Sequence, residues 1–453
     1  MQTNIVTSKR LLQILAGMVA MIIVFIPFHA LLTVWFASLI GHYTALRLWK
    51  ECLLLLLVVG ATYVVVTDAA LRRRLHRWRL MWIIAAYCLV QLVWGVVALR
   101  MRQVDAKALA YGWLVDTRYL VFFVSVCIVA SRTVSLKAVW QKLVFWPAAV
   151  VVIFGLLQHL VLPYDFLRHL GYSTLTIFPY EDINNNVHYI RIMSTLRGAN
   201  PLGAYLVVVL CLLVAVGFAW GRRRKAAKAR WQKVALGLLV CGVTVTLVLT
   251  FSRAAWLGAA VGLVILFGVQ LPARVRLWAA ASSLAVAVLL AGTALLLWHN
   301  TTFQNVIFHT QEHSLVKTTS DQGHASALQA GLRDVVHEPL GRGPGTAGPA
   351  SVYNTDHPVR VSENYFIQIA QEVGWIGLVL FLVIIWLIVL QLWQQRTDPL
   401  ALGLLAAVVA VCIICLFSHA WTDDTLAYLW WGLAGIAVAP SLTPQKQSVS
   451  MKG

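Results

Sequence analysis

The stretch TVTLVLTFSRAAWLGAAVGLVILFG, Thr244 to Gly268, is apolar almost throughout, yet Arg253 sits in the middle of it. A lone guanidinium among leucines and valines is costly in hydrocarbon. The segment therefore reads as two spans, 233–251 and 253–270, joined by a short turn at Thr250–Ser252. Arg253 opens the second span at the membrane edge.

The rest of the chain agrees with a membrane reading. Its 453 residues are 60% hydrophobic and 12% charged, with a mean hydropathy of +0.78. Soluble domains carry roughly a quarter charged residues, so this chain has too few to coat a water-facing surface. Apolar runs of about 20 residues recur along it and fit bilayer-spanning helices. The expected fold is all-α, a polytopic transmembrane helical bundle of about twelve spans. They fall at 11–35, 50–69, 80–99, 110–131, 138–161, 201–220, 233–251, 253–270, 276–298, 365–391, 398–418 and 425–440. Pro27 makes the first boundary the least sharp. Lys9 and Arg10 precede an apolar run without a small-residue cleavage site, so 11–35 is taken as a first span. The 19 tryptophans gather near span ends, among them Trp78, Trp82, Trp298, Trp375 and Trp430, as interfacial belts require.

Charge fixes the expected orientation. With both termini cytoplasmic, the inner segments hold 22 of the 36 basic residues, including RRRLHRWR at 72–79 and GRRRKAAKARWQK at 221–233, against only Asp68 and Asp398. That is the positive-inside bias. Lipid headgroups suffice to explain these basic runs, so no nucleic acid is expected. The chain then divides into spans 1–5 (1–161), a first long outer loop (162–200), spans 6–9 (201–298), a second long outer loop (299–364), spans 10–12 (365–441) and an inner tail (442–453). Other connections are short, and long loops on a rigid scaffold are where function concentrates.

Arg191 and Arg197 end the first loop at the depth of Arg253. An arginine can simply snorkel to an interface. Three of them at one apolar rim point instead to a multivalent anion, because the planar guanidinium meets phosphate oxygens bidentately. A lipid-linked diphosphate is the anion found at that depth. In the second loop, SALQAGLRDVVHEPLGRGPG spaces Leu328, Leu332 and Val335 or Val336 as an amphipathic helix lying on the membrane. Pro339 and Gly341, Gly343 and Gly345 stop it, which puts His337 at its end, a side chain able to take a proton near neutral pH. GRGPGTAG lacks the ending of a P-loop and reads as a turn allowing close backbone approach to a ligand.

Several other groups carry weaker signals. His188, His309, His313, His324 and His357 show no metal-ligand spacing, so no metal is expected. Asp423-Asp424 sits in a short outer turn and fits helix capping better than metal binding. Glu363, Asn364 and Arg342 face the same rim and are candidate sugar contacts. The seven cysteines (52, 88, 127, 211, 241, 412 and 415) all fall in apolar runs, which argues against disulfides, metal ligation and a redox role for Cys412-x-x-Cys415.

The ordered set RIMSTLRGANPLGAYL (191–206), TFSRAAWLG (250–258), HEPLGRGPG (337–345) and ENYFIQIAQEVGWIGL (363–378) resembles the bacterial O-antigen ligase family, over about 190–440. That resemblance implies a glycosyltransferase of the bacterial inner membrane whose second loop forms a helical periplasmic region. Such ligases move a glycan from undecaprenyl diphosphate to lipid A–core in lipopolysaccharide biosynthesis, with neither metal nor nucleotide, so no cofactor is expected. The family's loop arginines map onto Arg191 and Arg197, its Ser-Arg motif onto Ser252-Arg253, and its periplasmic histidine onto His337. Many relatives carry His-Asn where this chain has Glu363-Asn364. The Arg-x10-Gly pattern of the polymerase subgroup is absent, since Leu202 and Val208 stand at the corresponding positions. The alternatives are an O-antigen polymerase or a protein O-oligosaccharide ligase. A transporter of lipid-linked saccharides is the alternative from another class. Oligomeric state and glycan structure are not written in the sequence.

Overall fold

In the computed structural model, residues 2–183, 186–222, 230–272, 275 and 320–439 are described. The span expected at 276–298 and the tail at 442–453 lie outside them. Among the described residues there are fifteen α-helices. The first nine are α1 (Gln2–Phe25), α2 (His29–Ile40), α3 (Tyr43–Leu46), α4 (Trp49–Thr67), α5 (Ala69–Arg77), α6 (Arg79–Arg100), α7 (Ala106–Ala130), α8 (Ser135–Leu160) and α9 (Ala199–Arg222). The remaining six are α10 (Arg230–Leu249), α11 (Arg253–Gln270), α12 (Ser320–His337), α13 (Tyr365–Gln394), α14 (Pro399–Cys415) and α15 (Asp424–Val438). Among the described residues, nine helices are long and apolar enough to cross a membrane, and Pro399–Cys415 is a shorter apolar one. The protein is an all-α polytopic bundle.

Pro27 sets the one break in the first long apolar stretch. It lies in a 3-10 turn, Ile26–Phe28, between α1 and α2, because proline cannot donate the helical hydrogen bond. Thr195 Oγ1 donates to the Pro27 carbonyl at 2.8 Å, so a freed backbone acceptor anchors the end of the first loop.

The middle of the bundle is α7, α9, α14 and α15, whose side chains are mostly buried. Small residues let these helices close up. A Cβ at Gly403 would meet Leu212, and one at Gly258 would meet the Ala410 carbonyl. Trp421, Trp430, Trp431, Tyr119 and Phe123 fill the space between α7 and α15 with edge and tilted ring contacts. On the periphery, Leu55, Val59 and Val66 of α4 are more than 60% exposed. In water such faces would aggregate; against acyl chains they are at home.

The two ends of the bundle differ. One end carries α5, with Arg74, His76 and Arg77 in its last turn, and is tied by the ion pairs Arg132–Asp68 at 2.7 Å and Lys137–Asp398 at 3.0 Å. The other end carries the long loops. There the strands β1 (Glu181–Ile183) and β2 (Asn186–Arg191) pair antiparallel, with Glu181 opposite Arg191. Among the described residues this hairpin is the exception to the helical pattern, and it brings Arg191 to Asn200 at the start of α9.

α12 lies against α13. Its Gly331 admits Ser362 and Ile367 closely, and Val335 is buried. Arg360 bonds Asp334 at 3.0 Å, Gln371 bonds Asp334 at 2.7 Å, and Arg360 reaches Glu338 at 3.2 Å. The apolar stripe expected on this helix remains largely outward, with Leu328, Leu332 and Val336 exposed.

Candidate functional site

The Thr250–Ser252 turn is made as its sequence suggests. Thr250 Oγ1 donates to the Leu247 carbonyl at 2.6 Å, Ser252 N donates to Thr250 Oγ1 at 3.2 Å, and Phe251 takes a left-handed φ of 49°. α11 starts at Arg253, with Ser252 before it and no side chain capping its first amides. The opening amides of a helix lack intrahelical partners and carry its positive dipole end. Arg253 therefore stands at a terminus already suited to an anion.

A cavity of about 490 Å³ opens at this point. Its polar lining includes Arg191, Asn200, Ser252, Arg253, His324 and Glu363, and its apolar lining includes Leu257, Leu328, Leu416 and Phe417. Asn200 belongs to the first turn of α9, so two helix starts meet here. Arg191 is oriented by three partners: Nε donates to the Thr250 carbonyl at 3.0 Å, one Nη donates to Asn200 Oδ1 at 2.6 Å, and the other pairs with Glu181 at 3.2 Å. Burial first, and then the like charge of Arg253, lower the pKa of Arg191, with Glu181 opposing them. Two guanidiniums pressing on one another in a half-desolvated pocket is an arrangement that an anion relieves.

Arg197 goes elsewhere. Its Nε meets Asp423 Oδ2 at 2.6 Å, and it is not among the lining residues. Burial works against its charge, but Asp423 and Asp424 outweigh that and raise its pKa. Asp423 also caps α15, accepting from Thr425 N at 3.0 Å and Leu426 N at 3.3 Å. Asp424 joins a buried network: Lys50 lies 3.1 Å away, His29 3.2 Å away, and Arg118 is in direct contact. Lys50 and Arg118 also meet Glu51, at 3.0 and 3.2 Å. This network was not legible beforehand, since its members come from four separated helices.

His337 is the last residue of α12, where the glycines and proline behind it were expected to place it. Its Nδ1 bonds the Arg333 carbonyl at 2.8 Å on an exposed surface. A carbonyl only accepts, so Nδ1 carries the hydrogen, and the neutral ring has its lone pair on Nε2. His337 is not part of the cavity lining. His324, near the other end of α12, is. Thirteen residues of helix separate them, about 20 Å.

The glycine turn approaches backbone rather than open space. Gly343 N donates to the Glu372 carbonyl at 2.7 Å, Gly345 N donates to Glu372 Oε1 at 2.9 Å, and Arg342 N donates to the Gln371 carbonyl at 2.9 Å. Gly345 has φ of 86°, and a Cβ there would strike the Ala108 carbonyl of α7. The reading of this turn as a cradle for ligand is thus replaced by close packing between α7 and α13. The Arg342 side chain contacts Glu338. Asn364 caps α13, accepting from Phe366 N and Ile367 N at 3.0 and 3.1 Å, while its Nδ2 donates to the Leu416 carbonyl at 3.1 Å.

Among the described residues, no three of His, Cys, Asp and Glu gather as metal ligands. The cationic donors lining the cavity are the guanidiniums of Arg191 and Arg253, which suit oxyanions.

Residues 242–382 match the family model described as O-antigen ligase. Over that segment the chain is similar to the O-antigen ligase family. No curated protein matches the chain. The ligase segment includes Arg253, His337, Arg342, Glu363 and Asn364, and stops short of Arg191 and Arg197. The match and the helical membrane fold together support a membrane glycosyltransferase of the ligase or polymerase type. His324, Asn200, Glu181, Leu257 and Phe417 were not singled out from sequence.

Proposed function

We propose that the protein is an O-antigen ligase of the bacterial inner membrane. It would transfer a completed glycan from undecaprenyl diphosphate to lipid A–core on the periplasmic face, in lipopolysaccharide biosynthesis. The observation that carries this reading is a cavity lined both by Arg191, bonded to Asn200 in the first turn of α9, and Arg253 at the start of α11, and by the apolar Leu257, Leu416 and Phe417. A polyprenyl diphosphate has those two characters in the same order, an anionic head on a hydrocarbon tail.

Transfer breaks the bond between the anomeric carbon and the diphosphate, and negative charge grows on the leaving oxygens. Arg191 and Arg253 stabilise that charge from fixed positions, the electrostatic work a metal does elsewhere. The activated donor carries the energy, so the reaction proceeds without metal, nucleotide or cofactor. Arg197 adds its charge from the flank, where Asp423 holds it. The acceptor hydroxyl attacks from the opposite side of the sugar, which inverts the anomeric centre. His337, with Nε2 turned outward, deprotonates or orients the acceptor. Of the sugar contacts expected from sequence, Glu363 fits best because it lines the cavity; Arg342 and Asn364 are engaged at Glu338 and at the start of α13.

Reconstitution with lipid-linked glycan and lipid A–core, with and without chelator, tests the assignment. Glycan joined to lipid A–core supports it, while a lengthened lipid-linked glycan or a glycoprotein would give the polymerase or protein-ligase alternative. His337→Ala is expected to abolish transfer while the protein still inserts and binds donor; near-normal ligation would remove His337 from the reaction. The buried Lys50–Glu51–Arg118–Asp424 network favours one further reading, a transporter of lipid-linked saccharides, because charges inside a bundle often mark a path. Donor crossing the bilayer with no new glycosidic bond would establish it.

A further inference from the structure

The cavity that holds Arg191 and Arg253 also holds a carboxylate. Glu363 lines it, and His324 Nδ1 lies against Glu363 Oε2. An acidic side chain beside two arginines weakens the hold on an anion, so its presence calls for a separate task. The local backbone gives a second indication. Glu363 is held at φ of 53°, a left-handed conformation that residues with a Cβ rarely adopt and that collects at functional sites. The turn is clamped on both sides: Ser362 Oγ donates to the Asn364 carbonyl at 3.1 Å, and Asn364 caps α13 while bonding Leu416. These restraints aim the Glu363 side chain at the cavity.

The helix geometry then separates two histidines. α12 is fixed by Gly331 and by the Asp334–Arg360–Gln371 bonds. His324 meets the cavity, and His337 stands about 20 Å farther along the same helix. The Glu363–His324 pair, and not His337, thus shares the cavity with Arg191 and Arg253.

We propose that Glu363 takes the proton of the attacking acceptor hydroxyl, with His324 positioning the carboxylate and passing the proton on. This inference rests on the glycan-transfer reading above. The O–H bond of the acceptor breaks and its proton goes to the Glu363 carboxylate. The freed electron pair forms the new bond to the anomeric carbon. The bond from that carbon to the diphosphate breaks, and its electron pair leaves with the diphosphate toward Arg191 and Arg253. The proton moves from Glu363 to His324 and then to water, which both side chains reach, being 40% and 46% exposed. Glu363 is the catalytic residue and His324 the positioning one. His337 is left to orient a more distant sugar of the acceptor.

The test is transfer by purified protein in vesicles with lipid-linked glycan and lipid A–core, alongside retention of radiolabelled donor. Glu363→Gln is expected to lower turnover roughly 100-fold or more while donor is retained, as loss of a general base does. Glu363→Asp should recover part of the rate, and His324→Gln should cost less while displacing a limb of the pH–rate profile. Turnover of Glu363→Gln within about threefold of wild type, well short of a base's usual contribution, would overturn the proposal. If that variant does not accumulate in the membrane, His324→Gln decides: an unchanged rate with an unchanged pH profile overturns it, and a displaced profile supports it. Failure of the wild-type protein to transfer at all would count against the ligase reading instead.

Discussion

Arg253 sits close enough to Arg191 to help depress its pKa, although the two arrive from different loops and open the same cavity. Arg191 is tied to Glu181 and Asn200, and both guanidiniums line one cavity beside the start of α11. A preorganised donor aimed at developing charge is worth about 3 kcal/mol. Arg253→Ala should therefore lower turnover on the order of 100-fold. Arg253→Lys, which keeps charge but loses the planar fork, should also fall steeply. Unchanged turnover in the lysine variant would leave Arg253 as a snorkelling side chain.

Arg197 should behave in the opposite sense. It is tied to Asp423, whose carboxylate also caps α15. Removing the guanidinium leaves a nearly buried carboxylate short of one partner, a loss of about 1–3 kcal/mol that solvent at the half-exposed arginine moderates. Arg197→Ala is expected to lower the Tm in detergent more than Arg253→Ala does, and to weaken donor binding less. A double-mutant cycle with Asp423→Asn measures the pair, and additive effects would show that the two do not interact.

Gly345→Ala should be destabilising by more than about 1 kcal/mol, because its left-handed φ disfavours any Cβ and that Cβ would meet the Ala108 carbonyl. The expected readout is a lower Tm and a poorer yield of folded protein. An unchanged Tm would mean that the glycine turn can draw back from α7 at little cost.

His419 gives the fold an acid-sensitive element. Burial, and then the nearby Arg197 charge, push its pKa from 6.5 down to about 4. Between those values the unfolded chain holds a proton that the folded chain does not. The stability from keeping this ring neutral is thus fully present above the unfolded value and is lost as pH falls toward the folded one. His419→Gln should reduce the drop in Tm between about pH 7 and about pH 5. An identical pH dependence in the variant would assign the effect to other groups.

The architecture was legible because its causes are local and additive. Apolar runs gave the spans, and the one arginine inside such a run gave the turn at Thr250–Ser252. Pro339 with its glycines gave the end of α12 at His337. The site was only partly legible, since sequence gives depth along a helix but not which neighbour a side chain faces. Arg191 and Arg253 meet; Arg197, at the same depth, turns to Asp423 on α15. His324 was passed over because no ligand-like spacing marks it, and its importance comes from which end of α12 docks beside Glu363. The glycine turn was read as open to ligand because nothing local announces the partner it packs on, a backbone more than two hundred residues earlier in the chain.

α13 is helical from Tyr365 to Gln394 except at Val373 and Gly374, where φ and ψ leave the helical range. Beyond that break, exposed Trp375 and exposed Trp393 stand near the two ends of the lower segment. Eighteen residues of helix separate them, about 27 Å, close to the thickness of a bilayer's oily interior. Indole rings prefer the headgroup layer, so these two act as upper and lower waterlines. The stretch of α13 before Gly374, with Glu363 just ahead of it, then stands at or above the upper one, where water, lipid heads and long sugars can all be present together.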